Sequence, residues 1–186
     1  MFAIKYEILD EGKNRLSNIK NIKEFELEFN SITGQIQLIC NDKKIGFVDK
    51  EIPYEGEFLL IWLQRLNEVI IHLNSNSFVT MSIPDSANIW LEFKAIDNMI
   101  LITKIRAKKE MHVQEFILNM PKEKDQCFWN EYILRKEFVS IVLESTDKFI
   151  KELASINEIL LEAREVIELE NLFQKAKELS TNKDIF

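Results

Sequence analysis

The sequence predicts an α+β fold: a largely antiparallel sheet with one inserted helix and a two-helix C-terminal region packed on it. Three observations carry this reading. Apolar and polar residues alternate with a period of two through most of the strand-rich stretch 1–120. From Glu57 to Leu73 the apolar spacing changes to three and four. From Lys136 to Leu179 there is neither Gly nor Pro, and apolar residues recur at helical spacing, which makes 134–180 the helical part. The 186 residues suit one domain, 1–186, because a chain of this size buries about 70% of its unfolded surface without needing a disulfide or a metal.

Taken in order, Phe2 to Leu9 mixes aromatic and β-branched residues and is predicted as a strand. Asp10-Glu11-Gly12-Lys13-Asn14 reads as a turn cluster, followed by a polar connection from Arg15 to Lys23. Phe25, Leu27 and Phe29 alternate with Glu24, Glu26 and Glu28, the pattern of a strand with one apolar and one acidic face. Gly34 opens a run from Gln35 to Cys40, and Asn41-Asp42 supplies a hairpin turn into Lys44 to Val48. These three stretches are expected to form an antiparallel meander.

The helix from Glu57 to Leu73 carries Phe58, Leu59, Ile61, Trp62, Leu63, Leu66, Val69, Ile70 and Leu73, an apolar face too wide for one stripe, so it should pack directly on the sheet. The period of two returns at Val79, Met81 and Ile83 and again at Ile89, Leu91, Phe93 and Ala95, with Asp97-Asn98 turning into a return strand from Met99 to Lys108. His112 to Leu118 reads as a further strand. Met120-Pro121 and the polar Lys122 to Gln126 close the β-rich region, leaving Trp129 and Tyr132 in a loop before the helices, to serve either as a hydrophobic staple or as an interaction surface. Ser155-Ile156-Asn157-Glu158 matches a capping box, so the C-terminal region should be two helices breaking near Ser155.

The formal net charge of −7 disfavours nucleic-acid binding, which is built from Lys and Arg contacts to phosphate, and suits a basic protein partner. The longest unbroken apolar run, Phe58 to Leu63, falls far short of the roughly 20 residues that span a bilayer. The N-terminal residues show no secretory leader, and a cytoplasmic location is expected, where Cys40 and Cys127 stay reduced. Gly12, Gly34, Gly46 and Gly56 lie too far apart to cradle a phosphate. The cysteines and the two histidines, His72 and His112, have no metal-ligand spacing, and no cofactor is expected. His72 suits the negative end of a helix dipole, and a nucleophile–base pair of Cys127 and His112 has no supporting pattern.

Three features remain as candidate interaction sites. Glu158, Glu162 and Glu165 recur at spacings of four and three and would share a helix face, either a solvated one or an acidic surface for a basic partner. Lys104, Arg106 and Lys108 alternate along one strand face, to be paired with carboxylates such as Glu92 or to meet a phosphate or acidic partner. Trp90 lies opposite the core-facing Ile89, Leu91 and Phe93, and is either covered by the C-terminal helices or exposed as an aromatic anchor.

Gly56-Glu57-Phe58-Leu59-Leu60-Ile61-Trp62-Leu63 and Asn88-Ile89-Trp90-Leu91-Glu92-Phe93, in a chain of this size, acidity and layout, resemble the small immunity proteins of bacterial polymorphic-toxin systems. The richness in Ile, Lys and Asn also resembles proteins of AT-rich bacterial genomes. The resemblance is one of layout and carries no site residues. It implies a non-enzymatic protein-binding domain that neutralises a toxin through stoichiometric contact. Two other readings stand beside it: a small-molecule-binding or catalytic protein with a pocket between sheet and helices, and an oligomerisation domain that pairs copies through the C-terminal helices.

Overall fold

The computed structural model describes residues 1–28, 31–54, 56–86, 88–108 and 116–181. The α+β class is as expected, but the strands form two antiparallel sheets rather than one. The first contains β1 (Phe2–Glu7), β2 (Thr33–Cys40) and β3 (Lys43–Gly46) in that order, with β4 (Glu57–Phe58) pairing the start of β2. The second has the order β8-β5-β6-β7-β9, from β5 (Phe78–Ser82), β6 (Ile89–Ile96), β7 (Met99–Ala107), β8 (Ile117–Leu118) and β9 (Lys124–Leu134).

Between them lies α3 (Leu59–Leu73), which buries Leu59, Leu60, Trp62, Leu63, Leu66, Val69, Ile70 and Leu73 and packs against both β2 and β5. On it rest α4 (Arg135–Ile156) and α5 (Arg164–Thr181). Phe138 of α4 ties the two sheets together: its ring centroid lies 5.0 Å from that of Phe2 in the first sheet and 5.5 Å from that of Phe93 in the second. Aromatic pairs at this separation add stabilisation beyond the area they bury. One apolar cluster runs through both sheets and all three helices, from Phe2 to Ala176.

Four local expectations are corrected. The turn cluster at Asp10–Asn14 is the start of α1 (Asp10–Ser17), whose first turn is acidic and whose last turn carries Arg15, a charge order that suits the helix dipole. The acidic alternation at Glu24 to Glu28 lies in α2 (Ile22–Glu28) instead of a strand, while Phe29 falls outside the described residues. Asn21 caps this helix, its Oδ1 accepting from the Glu24 amide at 3.0 Å, and Glu24 reaches back to the Lys20 amide at 3.3 Å. Phe25 is buried and Leu27 is 84% exposed, as neighbours two apart on a helix must diverge. The meander therefore loses its expected first strand, and β1 takes that place beside β2.

The third correction concerns β9, which occupies the stretch expected to close the β region and places Trp129 and Tyr132 in a strand. Two bulges hide its period: Phe128 is the extra residue between Trp129, opposite Lys104, and Cys127, opposite Ile105, and Asp125 is extra between Gln126 and Lys124. Each bulge adds one residue and inverts the alternation beyond it. The fourth concerns only the cap: the two C-terminal helices break next to Ser155 as expected, with α4 ending at Ile156, but Asn157 makes the break. Its Oδ1 accepts from the Ile159 amide at 3.2 Å, opening a 3-10 turn at Glu158–Glu162, while its Nδ2 donates to the carbonyls of Leu16 at 3.1 Å and Ile19 at 2.8 Å. Among the described residues Ser155 Oγ donates to the carbonyl of Glu152 within its own helix and caps nothing.

The path from β8 to β9 shapes the surface. These strands lie at opposite edges of the second sheet, so the chain between them crosses its outer face. The Met120 carbonyl accepts from Thr80 Oγ1 at 2.7 Å, the Lys122 ammonium sits 4.5 Å from the Trp90 ring centre, and Lys124 pairs with Glu92 at 2.7 Å.

Asn157→Ala removes three hydrogen bonds, one within the helix break and two that join it to the carbonyls of Leu16 and Ile19, and is expected to cost about 2–3 kcal/mol. Ser155→Ala is expected to stay within about 0.5 kcal/mol of the parent. Urea unfolding of the two variants checks this order, and equal losses would restore Ser155 as the cap.

Candidate functional site

Trp90 is 2% exposed and does not project into solvent as an anchor. Nor do the C-terminal helices cover it; it packs with Ile105, Ala107 and Leu118 beneath the crossing segment that carries Lys122. Sequence spacing places Trp90 on the outer sheet face correctly, but the long-range path from β8 to β9 decides what lies over that face.

Glu158, Glu162 and Glu165 do not share one helix face. The first two are exposed on the 3-10 turn, and Glu165 is half-buried on α5, beyond an extended residue at Ala163. Burial raises the Glu165 carboxyl above the usual glutamate range; Arg164 opposes the shift, and Glu168 and Glu26 add to it. Burial likewise raises Glu68 on α3, with His72 opposing and Glu168 adding. This acidic patch joins α2, α3 and α5 rather than forming a stripe along α5.

The expected pairing of Lys104 and Arg106 with Glu92 does not occur. Glu92 lies across from Thr103 and points to the outer face, where it is buried and pairs with Lys124. Lys104 and Arg106 instead approach the Phe128 ring, with their charged groups 5.4 and 5.5 Å from its centre. Such contacts contribute about 0.5–1 kcal/mol each where exposed. Lys108 forms an ion pair with Glu123.

The bulge that obscured β9 in the sequence thus turns Phe128 toward two cations. Along the same strand Phe128, Tyr132 and Leu134 are 38%, 52% and 49% exposed, and Cys127 is exposed beside them. β9 pairs with β7 on one side and, among the described residues, with no strand on the other. Its second half meets the first sheet, where Asn41 Nδ2 donates to Glu131 Oε2 at 2.6 Å and to the Tyr132 carbonyl at 3.4 Å. The result is an open edge beginning at Lys124, with an aromatic and basic cluster at its centre and apolar residues at its end.

Other charged groups satisfy one another. Lys13 lies 3.6 Å from Glu7 and 3.2 Å from Glu152, and Lys50 lies 2.9 Å from Glu7, so α1, β1, α4 and the loop after β3 are tied together at one corner. Burial, reinforced by Glu152, holds the Tyr6 phenol far above its ordinary range. His72 Nδ1 lies 2.9 Å from Asn119 Oδ1 at the end of α3, and His112 lies outside the described residues. Cys40 is buried, which pushes its thiol up to about 12, and both cysteines are free. Among the described residues no group of three or more His, Cys, Asp or Glu is arranged to hold a metal, and no helix is long and apolar enough to cross a membrane.

Comparison with known proteins finds no matching family model, no matching curated relative and no matching solved structure.

The raised carboxyl of Glu165 makes the folded chain bind its proton more tightly than the unfolded chain does. Its contribution to stability is therefore complete below the unfolded glutamate pKa of about 4.3 and is lost as pH rises through the folded value. Glu165→Gln should melt at a higher temperature than the parent at neutral pH, with the difference shrinking to nothing on approach to the unfolded glutamate pKa. Thermal unfolding across that range provides the check, and a difference independent of pH would contradict the assignment.

Proposed function

We propose that this chain is a protein-binding domain that docks its partner along the exposed edge strand β9. The observation that carries the reading is the exposure of Phe128, Tyr132 and Leu134 on a strand that, among the described residues, has a strand partner on one side alone. Sheet proteins ordinarily blunt a long edge with charge, bulges or a covering segment, since unpaired ladder groups recruit other strands. Here one bulge and the charges of Lys124 and Asp125 sit at the start of β9, and the second bulge turns Phe128 toward Lys104 and Arg106. Beyond it Asn41 engages the strand at Glu131 and the Tyr132 carbonyl, while the Tyr132 and Leu134 side chains stay exposed.

The chemistry of the edge specifies the partner segment: an extended peptide that adds a strand to β9, places apolar side chains on Phe128 and Tyr132, and brings a carboxylate to Lys104 and Arg106. An exposed aromatic flanked by cations is the composition found at interface hot spots. The likeness in layout to immunity proteins belongs to the same reading and makes a toxin the partner class. A docking face formed by Glu158, Glu162 and Glu165 is less well supported, because the three divide between two elements and Glu165 is half-buried.

Phe128→Asp with Tyr132→Asp places charge on the docking strand at exposed positions, so the doubly substituted chain should fold. The parent chain as bait should retain one protein at near-equal stoichiometry, and the folded double variant should bind it at least about thirtyfold more weakly, as expected for loss of a hot spot. Alkylation of Cys127 should also block binding. Equal retention by parent and double variant would overturn the assignment, as would a partner lost only on Glu158→Lys with Glu162→Lys.

A further inference from the structure

A cavity of about 330 Å³ opens between the N-terminal half of α3 and the turn that joins β5 to β6, and no residue of β9 lines it. It is lined by Arg65, Ser82, Asp85, Ser86, Trp90 and Phe116, among others. Its volume is at the small end of the range for ligand pockets, roughly 300–1,000 Å³.

The group that gives this cavity its chemistry is Arg65, which is 9% exposed. A buried cation is normally matched by a carboxylate, because the cost of leaving water is otherwise uncompensated. Among the described residues none lies within ion-pair reach of Arg65. Its Nη1 donates to the Ser82 carbonyl at 2.7 Å and to Ser82 Oγ at 2.8 Å, and the Phe116 ring covers the guanidinium at 4.3 Å. A guanidinium has five N–H donors in a planar fork, and no described residue engages Nε or Nη2. Burial lowers its pKa to about 10, with Glu68 and Asp85 opposing from a distance, so the side chain remains a cation at neutral pH.

Opposite charge is also present on the rim. Asp85 is exposed and held at a φ of 52°, and Asn88, across the same turn, at 59°. This left-handed backbone costs a non-glycine residue energy, and Asp and Asn tolerate it best. Ser86 Oγ stabilises the turn by donating to the carbonyls of Ile83 at 2.8 Å and Ile89 at 3.2 Å. The cavity thus presents a guanidinium at its base, a carboxylate at its rim, and the apolar surfaces of Ile83 and Phe116.

We propose that this cavity binds a small zwitterion, a free α-amino acid, whose carboxylate takes the open side of the Arg65 fork and whose ammonium faces Asp85. The planar fork accepts a carboxylate through two parallel bonds, the arrangement for which arginine is preferred over lysine. A simple anion such as phosphate would meet the Asp85 carboxylate unpaired, and this selects the zwitterion. The side chain of the amino acid lies against Phe116 and Ile83.

Isothermal titration of the full chain with the standard L-amino acids tests the proposal. For any that binds, its amide and its deaminated acid follow, with acetate and inorganic phosphate as anion controls. At least one free amino acid should give saturable heat. Its amide should bind at least about tenfold more weakly, since a charge-assisted bond to arginine is lost. Arg65→Lys should weaken the free amino acid by a similar factor. Asp85→Asn, which keeps a residue suited to the left-handed turn, should weaken the free amino acid while leaving the deaminated acid bound as tightly or more tightly, so the test stands even if the Arg65 variant fails to fold. Absence of saturable heat with every amino acid would overturn the proposal, as would acetate or phosphate binding as tightly, or affinity unchanged by Asp85→Asn. Neither substitution touches β9, so these outcomes are independent of the docking surface.

Discussion

Helix α3 carries large apolar side chains around most of its circumference, and a helix of that kind has to be enclosed rather than laid on a surface. Enclosure explains why the strands divide into two sheets: β2 covers one side, β5 another, and α4 and α5 close the remainder. A buried helix also brings polar atoms into the interior, where each needs a partner. Trp62 Nε1 donates to Glu57 Oε2 at 2.8 Å, and Asn67 Nδ2 donates to the Leu63 carbonyl at 2.8 Å and to Thr146 Oγ1 of α4 at 2.9 Å. Arg65 reaches Ser82 at the end of β5. Apolar packing is tolerant of small rotations, whereas these bonds are directional and set the helix's rotation against each neighbour. The cavity at Arg65 lies where enclosure is incomplete.

The segment from β8 to β9 has a comparable effect on the outside of the second sheet. By crossing the outer face it removes Trp90 and Glu92 from water and supplies the lysines that sit against them. By arriving at the far edge it also makes β9 the last strand of its sheet among the described residues. One connection therefore buries the aromatic residue that spacing singled out and exposes Phe128, together with Tyr132, which spacing had assigned to a loop. The bulge at Phe128 completes the arrangement by directing its ring between Lys104 and Arg106.

Local pattern determined the elements whose geometry depends on neighbouring residues. The period of two in β2, β5, β6 and β7, the spacing of three and four in α3, and the absence of Gly and Pro through α4 and α5 are each visible in the sequence and present in the fold. Asn21 followed by Glu24 is a helix-start pattern, but it is masked by the six residues of alternation from Glu24 to Phe29, which a short amphipathic segment can produce by coincidence. Asn157 could not be distinguished from Ser155 as the cap, because two of its three hydrogen bonds go to the carbonyls of Leu16, on α1, and Ile19, just past it, more than a hundred residues earlier.

Tertiary structure alone decided the division into two sheets, the cover over Trp90, the separation of Glu165 from Glu158 and Glu162, and the open edge of β9. The physical reason is common to all of these. Periodicity reports which side of an element is apolar, but what covers that side, and which strand is left last, depends on chain crossings and long-range pairings that no short window of residues contains. Both candidate surfaces, the β9 edge and the Arg65 cavity, belong to this second category. Each is assembled from residues far apart in sequence, and neither Phe128 nor Arg65 carries a local signature of its role. The α+β class, with its inserted helix and two-helix C-terminal region, was determined by the sequence, because burying an apolar face is a requirement each segment states for itself.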